Sequence, residues 1–460
     1  MINKNRARYL IVFISAMIFF SLFSACKKQE IIEIFPPIVF SPRLGGITGG
    51  PLNENLVVTA VEKTNGAPVE GATVFVHDSE THELLAEEVT GPDGRASFEG
   101  KPIKGPVAIT LTCNQTIAYD TISFLGVNSA KVTVPMTRRK TPEKVKTALT
   151  FLGLDYDDAK LSINRNEHTF PDIELESGTG KVPEDPWVTS VEDLPLAFSA
   201  FSTDLGGNTK KFGFTVEPEG PLSVDTPAMI NMVPVSTQNV KTCRGEIENP
   251  PANLDTPSTE WDPYKHYIFQ VYADGGLAGD VMAGFANIDK GYTYQAFIVE
   301  TPKLLNGRME ISAFNRRDAW GEMTSRYYPF QFENAPENLD ITFLNVPKQL
   351  QIEKEKDQVF PDLVWFPSET NLTLVEIHHA DFKYRWALYV MGENVGKITL
   401  PPIEPGSAGS LVVGEIYGYR VIGWQVPGLD YTNWSFQDIE QKATHRARSS
   451  LVQFMVAPTK

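Results

Sequence analysis

The sequence predicts an all-β chain: serial immunoglobulin-like β-sandwich domains behind a signal peptide and a tether. Three observations predict it. Apolar and polar residues alternate at the two-residue period of a half-buried strand in segment after segment beyond residue 55. Between those segments stand Gly, Pro, Asn and Asp, with 34 Gly and 33 Pro spread along the chain instead of gathered in one tract, so they read as turns. Aromatic residues make up 11% of the chain, which suits short strands better than disorder.

Length and charge set further bounds. At 460 residues the chain suggests three or four domains, with enough core to fold without disulfides. The formal charge is −16; removing residues 1–25, which hold three basic and no acidic residues, gives −16 − 3 = −19. Such a charge repels nucleic acid and anionic lipid, so neither is expected as a partner through a general field. Of three cysteines, Cys113 and Cys243 lie in the body. Cys113 follows Ile109 and Leu111 on the apolar side of an alternating run, so buried free thiols are expected in preference to a disulfide.

Taken in order, the chain starts with Lys4, Arg6 and Arg8, then an apolar run over residues 9–23, then Phe23-Ser24-Ala25-Cys26. This is the pattern of a secretory signal, shorter than the roughly 20 apolar residues of a spanning helix. The order of parts resembles the lipobox of bacterial lipoproteins, with Phe23 where an aliphatic residue is usual. The resemblance implies cleavage before Cys26 and lipid on its thiol, hence attachment to a membrane. Lys27, in place of an acidic residue after Cys26, points by the same analogy to the outer membrane of a Gram-negative envelope. Residues 26–54, polar and then rich in Pro and Gly, read as a tether.

Residues 55–138 form the first predicted sandwich. Val57, Thr59 and Val61 alternate with their neighbours; Gly66-Ala67-Pro68-Val69-Glu70-Gly71-Ala72 turns into a strand over residues 73–77. Gly91-Pro92-Asp93-Gly94 makes a second turn, and strands follow over residues 107–113 and 131–136. These motifs resemble the carboxypeptidase regulatory-like, or transthyretin-like, family, which implies a seven-stranded sandwich with no catalytic residues of its own. Residues 139–255 are expected as a β-rich domain and 256–350 as a sandwich, with one irregular domain as the alternative, and residues 234–263 as a long loop or interdomain connection. Residues 357–460 carry Trp365 and the spacing Leu411, Val413, Glu415, Tyr417, which resembles the tyrosine corner of fibronectin type III domains. That implies a Tyr417 hydroxyl bonded to the chain just upstream.

Catalytic motifs are missing. Gly406-Ser407-Ala408-Gly409-Ser410 lacks the nucleophile-elbow spacing, and Ser177-Gly178-Thr179-Gly180-Lys181 continues with Val182 where a phosphate loop needs Ser or Thr. No cofactor is expected. Glu376-Ile377-His378-His379-Ala380-Asp381 offers metal-ligating types, but on a strand Glu376 and His378 share one face and His379 and Asp381 the other, so an exposed polar loop or edge is the preferred reading. His77, Asp78, His82 and Glu83 read as turn chemistry, and Asp155, Asp157 and Asp158 as a solvated acidic turn instead of a calcium site. The functional lead is aromatic. Residues 427–436 follow the corner strand, and Asp430, Tyr431, Asn433 and Trp434 could stack on a sugar ring or dock a protein, unless Trp434 and Phe436 fold back onto the core. Trp320, Tyr327 and Tyr328 near Arg316 and Arg317 form a second such cluster. The expectation is a lipid-anchored envelope protein that binds a glycan or a protein. A structural lipoprotein with a fixed envelope partner is the alternative, and an extracellular hydrolase a distant third.

Overall fold

The computed structural model describes residues 44–63, 65–114, 118–139, 144–147, 149–165, 168–169, 173–175, 187–190, 196–206, 208–217, 228–248, 267–274, 280–282, 284–289, 293–300, 307–314, 322–350, 362–379, 385–403 and 411–456. All belong to one unit, Val39–Lys460. The expected signal peptide, Cys26, and residues 177–181 and 406–410 lie outside them.

Eight strands come from the N-terminal part: β1 (Gly46–Thr48), β2 (Val57–Glu62), β3 (Thr73–Asp78), β4 (Leu84–Val89), β5 (Arg95–Ser97), β6 (Val107–Thr112), β7 (Thr121–Val127) and β8 (Lys131–Met136). Each of the predicted strands is present. The turn before β5 depends on Gly94 at φ +73°, where a side chain would also press on the Ala60 carbonyl, which lies 2.5 Å from a Cβ built there. One sheet pairs β1, β8, β2 and β5 in that order, and β4, β3, β6 and β7 lie side by side in a second. Val58, Ala60, Val74, Phe98, Ile109, Leu111, Phe124, Val132 and Val134 are buried.

The expectation of a tether over residues 26–54 is corrected at its C-terminal end. Gly46–Thr48 is a strand that bridges β8 and Trp434–Ser435, with Ile47 opposite both Val132 and Trp434. A side chain at Gly46 would collide with the Trp434 carbonyl. Glycines read from sequence as slack are here what lets two backbones meet.

The middle of the chain supplies two further cores. Leu161, Ile163, Phe198, Ala200, Ile230 and Met232 pack between the Lys160–Arg165, Leu196–Thr203 and Thr209–Glu217 strands and the parallel pair Leu149–Leu152 with Ala228–Asn231. The next core gathers Cys243, Ile247, Tyr294, Ile298, Met309, Ile311 and Phe332. Its Val240–Glu248 strand corrects the expectation of a loop over residues 234–263. Prolines bound this strand, but within it Cys243 and Ile247 alternate with polar residues, and it pairs along its length with Thr293–Val299. Strand pairing thus places Val240–Glu248 with the sandwich that follows. Cys113 and Cys243 are both buried free thiols, and burial pushes the Cys243 thiol up.

The C-terminal strands are Leu363–Phe366, Leu372–His379, Arg385–Met391, Lys397–Ile398, Ile416–Gln425, Trp434–Ser435, His445–Arg448 and Val452–Met455. Trp365 is buried, and the Tyr417 hydroxyl accepts a hydrogen bond from the Val412 N–H at 2.9 Å. That bond fixes the crossover, as the corner spacing implied.

The modules are serial in sequence but not in space. Arg385–Met391 pairs parallel with β7, Trp386 opposite Thr121, and His445–Arg448 pairs with Met323–Phe330. One 13-stranded sheet therefore runs from the second middle sandwich through the C-terminal strands into the N-terminal ones. This explains a departure from simple alternation in β6, where all six residues are buried. Thr110 shares a 2.7 Å hydrogen bond with Ser123, and the Trp386 indole donates to the same Ser123 hydroxyl at 2.8 Å. Both faces of the sheet are covered at β6, so its polar residues must find partners inside.

Candidate functional site

Residues 427–436 leave the end of the Ile416–Gln425 strand. Asn371 clamps the exit: its side chain donates to the Val426 carbonyl at 2.7 Å and accepts from the Val426 N–H at 2.9 Å. Asp430 is exposed, and its carboxylate accepts from the Thr432 N–H and hydroxyl at 2.9 and 2.8 Å, which hold it below the usual carboxylate range. Tyr431 is half-buried, its hydroxyl donating to the Asn371 carbonyl at 3.1 Å, with burial raising its pKa. Asn433 is exposed.

Trp434 is a correction to the candidate set. Its side chain is 2% exposed, as is that of Phe436, and the two rings meet edge-on at 5.2 Å beside Phe124 and Tyr389. An indole with both faces covered offers no stacking surface, so Trp434 is a core residue joining the C-terminal loop to the N-terminal sheet. The sequence held a signal for this. Ser435 caps the helix α1 (Phe436–Lys442) in a capping box with Asp438, and Phe436 and Ile439 at i and i+3 are its buried stripe. A loop that ends in a capped helix with an apolar stripe cannot swing its aromatics outward.

The metal candidates resolve differently. Glu376 and His378 lie on the Leu372–His379 strand, hydrogen-bonded on both sides, so the expected exposed loop or edge is overturned. Asp381 falls outside the described residues. Glu376 is fully buried; Arg420 Nε donates to it at 2.5 Å and Arg385 Nη2 to its other oxygen. His378 Nε2 lies 3.7 Å away. Arg385 also reaches Asp120 at 3.8 Å, and Arg139 approaches Asp120 at 3.6 Å. Burial pushes the Glu376 carboxyl up, but Arg420 and Arg385 outweigh it and hold it well below its ordinary value. Burial prevails at Asp120, whose carboxyl is raised, and at His378, whose imidazole is lowered. The arginines occupy the coordination space a metal would need, and through Asp120 the cluster ties the start of β7 to the C-terminal strands.

The acidic turn at residues 155–158 likewise already holds a cation of the chain's own. Lys211 Nζ sits 2.7 Å from Asp155 Oδ2, Asp158 Oδ2 and the Gly153 carbonyl, and Ser202 donates to Asp158 at 2.5 Å. Asp158 is buried, which corrects the fully solvated reading, and an ammonium stands where a calcium ion would. At the β3–β4 hairpin, Asp78 Oδ1 accepts from the Glu80 and Thr81 N–H groups, as expected of turn chemistry, although His77 is buried. Among the described residues no group of three or more His, Cys, Asp or Glu is placed to hold a metal. In the second aromatic cluster Tyr327 is buried beneath the guanidinium of Arg308; Trp320, Arg316 and Arg317 lie outside the described residues.

No family model matches the chain, and no curated protein does. Among solved structures, the Bacillus anthracis TIE protein is similar over 62% of this chain and 49% of its own, at 9% identity and a TM-score of 0.15. The chain thus aligns to about half the length of that protein. A candidate adhesin from Bacteroides ovatus aligns over 67% of this chain and 95% of its own, at 8% identity and a TM-score of 0.12. Similarity at this level carries no argument about arrangement or role.

Proposed function

We propose that this protein is a lipid-anchored component of the cell envelope, held through Cys26 at the outer membrane, with a non-catalytic binding role towards a protein or a glycan. One observation carries the reading: an export signal ending in Ser24-Ala25-Cys26 leads into a body of joined β-sandwiches. A rigid body on a lipidated leash suits presentation of a surface to a partner.

Burial of Trp434 shifts the weight between the two kinds of partner. The aromatic that made residues 427–436 a glycan lead is in the core, which favours a protein partner, including a fixed one of an assembly lipoprotein. The test is a pull-down from solubilised envelope with the lipidated protein and with Cys26→Ala, with glycan-array binding on the same material. A stoichiometric protein partner lost with Cys26→Ala supports an assembly role, and glycan binding by both forms supports recognition. Turnover of a polysaccharide or peptide by the purified protein would overturn the non-catalytic reading.

A further inference from the structure

Strand β4 is the last strand at one end of the 13-stranded sheet. Its sequence, Leu84-Leu85-Ala86-Glu87-Glu88-Val89, contains neither Lys nor Pro, the residues that most often blunt an open edge. Leu84, Leu85 and Val89 are 53%, 41% and 55% exposed. Ladder alternation shows which backbone groups are open. The Thr90 N–H donates to the Ala72 carbonyl at 2.9 Å, so with Val74 opposite Glu88 and Val76 opposite Ala86, it is Glu88 and Ala86 that bond to β3. Glu87 and Val89 then turn their N–H and C=O groups away from the sheet. Among the described residues no hydrogen bond to these outward groups is present.

We infer that β4 is a docking edge that accepts an extended, cationic and apolar segment of a protein partner as an added strand. The chemistry of the edge selects the occupant. Glu80, Glu83 and Glu87 are exposed along it, and the nearby cation, Lys101, is already bound to Glu88 at 2.7 Å. An incoming strand that sets Lys or Arg across from these carboxylates and apolar residues beside Leu85 and Val89 completes both the ladder and the charge balance. A second copy of this chain is disfavoured: two-fold pairing of β4 with itself brings Glu87 and Glu88 of both copies together, in a chain whose net charge is −16. The inference rests on the binding role proposed above and names the surface and partner chemistry for it.

The experiment uses the full-length protein in detergent with the synthetic eight-residue peptide Lys-Thr-Val-Thr-Lys-Thr-Val-Thr, in which Lys and Val alternate along one face as Glu87 and Val89 do along theirs. The control is a block peptide of the same composition. Expected is binding of the alternating peptide with slowed amide exchange at Glu87 and Val89, weakened about tenfold by Val89→Pro, which removes an outward donor and an edge side chain but no bond to β3, and by Glu87→Lys. Equal binding of the two peptides, exchange protection elsewhere, or indifference to both substitutions overturns the inference. So does a concentration-dependent dimer that Val89→Pro abolishes, which would assign the edge to a second copy. If the envelope pull-down yields a partner that Val89→Pro does not release, the binding role stands and the β4 assignment falls; turnover of substrate would instead remove the binding role itself.

Discussion

Two buried charge clusters, one within a single sandwich and one at a seam between modules, use opposite stoichiometries. At residues 155–211 one ammonium serves two carboxylates, and one of them, Asp155, keeps 59% of its side chain in water. At residues 376–420 one carboxylate serves two guanidiniums, and the Glu376 side chain has no exposure at all. The first cluster can lose a partner and let water in. The second cannot, because its carboxylate lies in the middle of a sheet with strands on either side. A charge near a loop is a local device, whereas a charge in a central strand commits every element around it.

The largest expected effect breaks that contrast at its strong end. Glu376→Gln leaves Arg385 and Arg420 buried without their main counter-charge and should cost about 3–5 kcal/mol, read as a lower urea midpoint with loss of packing between β7 and Arg385–Met391. Lys211→Met leaves Asp158 buried and unpaired, but with Asp155 open to solvent the cost should be about 2 kcal/mol. If the two substitutions cost the same, position in the sheet is not what distinguishes the clusters.

Acid sharpens the comparison, because the Glu376 cluster holds the buried His378, whereas the Lys211 cluster holds no histidine among the described residues. Burial lowers His378 beside Glu376, and burial together with Arg326 lowers His445, on the strand that joins the middle and C-terminal sandwiches, to about 4. Between pH 6.5 and about 4 the unfolded chain binds protons at His445 that the folded chain does not, so stability falls as pH falls through that window. Urea midpoints measured across it should decline, and His445→Gln should flatten the decline. The smallest effect belongs to Asp155→Asn, which removes the solvent-facing partner of Lys211 and should cost about 1 kcal/mol or less in the same assay.

Legibility in the sequence follows the same line between local and long-range causes. The Gly91-Pro92-Asp93-Gly94 turn, the alternation of β2, and the Tyr417 corner are written in neighbouring residues, and each appears as read. The Leu372–His379 strand was missed because Glu376-Ile377-His378-His379 is polar enough to read as surface. Its burial makes sense only with Arg385 and Arg420 beside it, 9 and 44 residues away. Trp434 was read in two ways for the same reason: what covers it is Phe124, more than 300 residues earlier.

By itself the sequence determined the β class of the chain, its turns and several strands of its N-terminal module, because strand period and turn stereochemistry are decided within a few residues. Only the tertiary structure decided that the first and last modules share one sheet, that Gly46 and Trp434 meet, that arginines close the Glu376 site, and that β4 is left as the open edge. Strand order and the covering of a second face depend on contacts between residues hundreds of positions apart, and no local pattern records them.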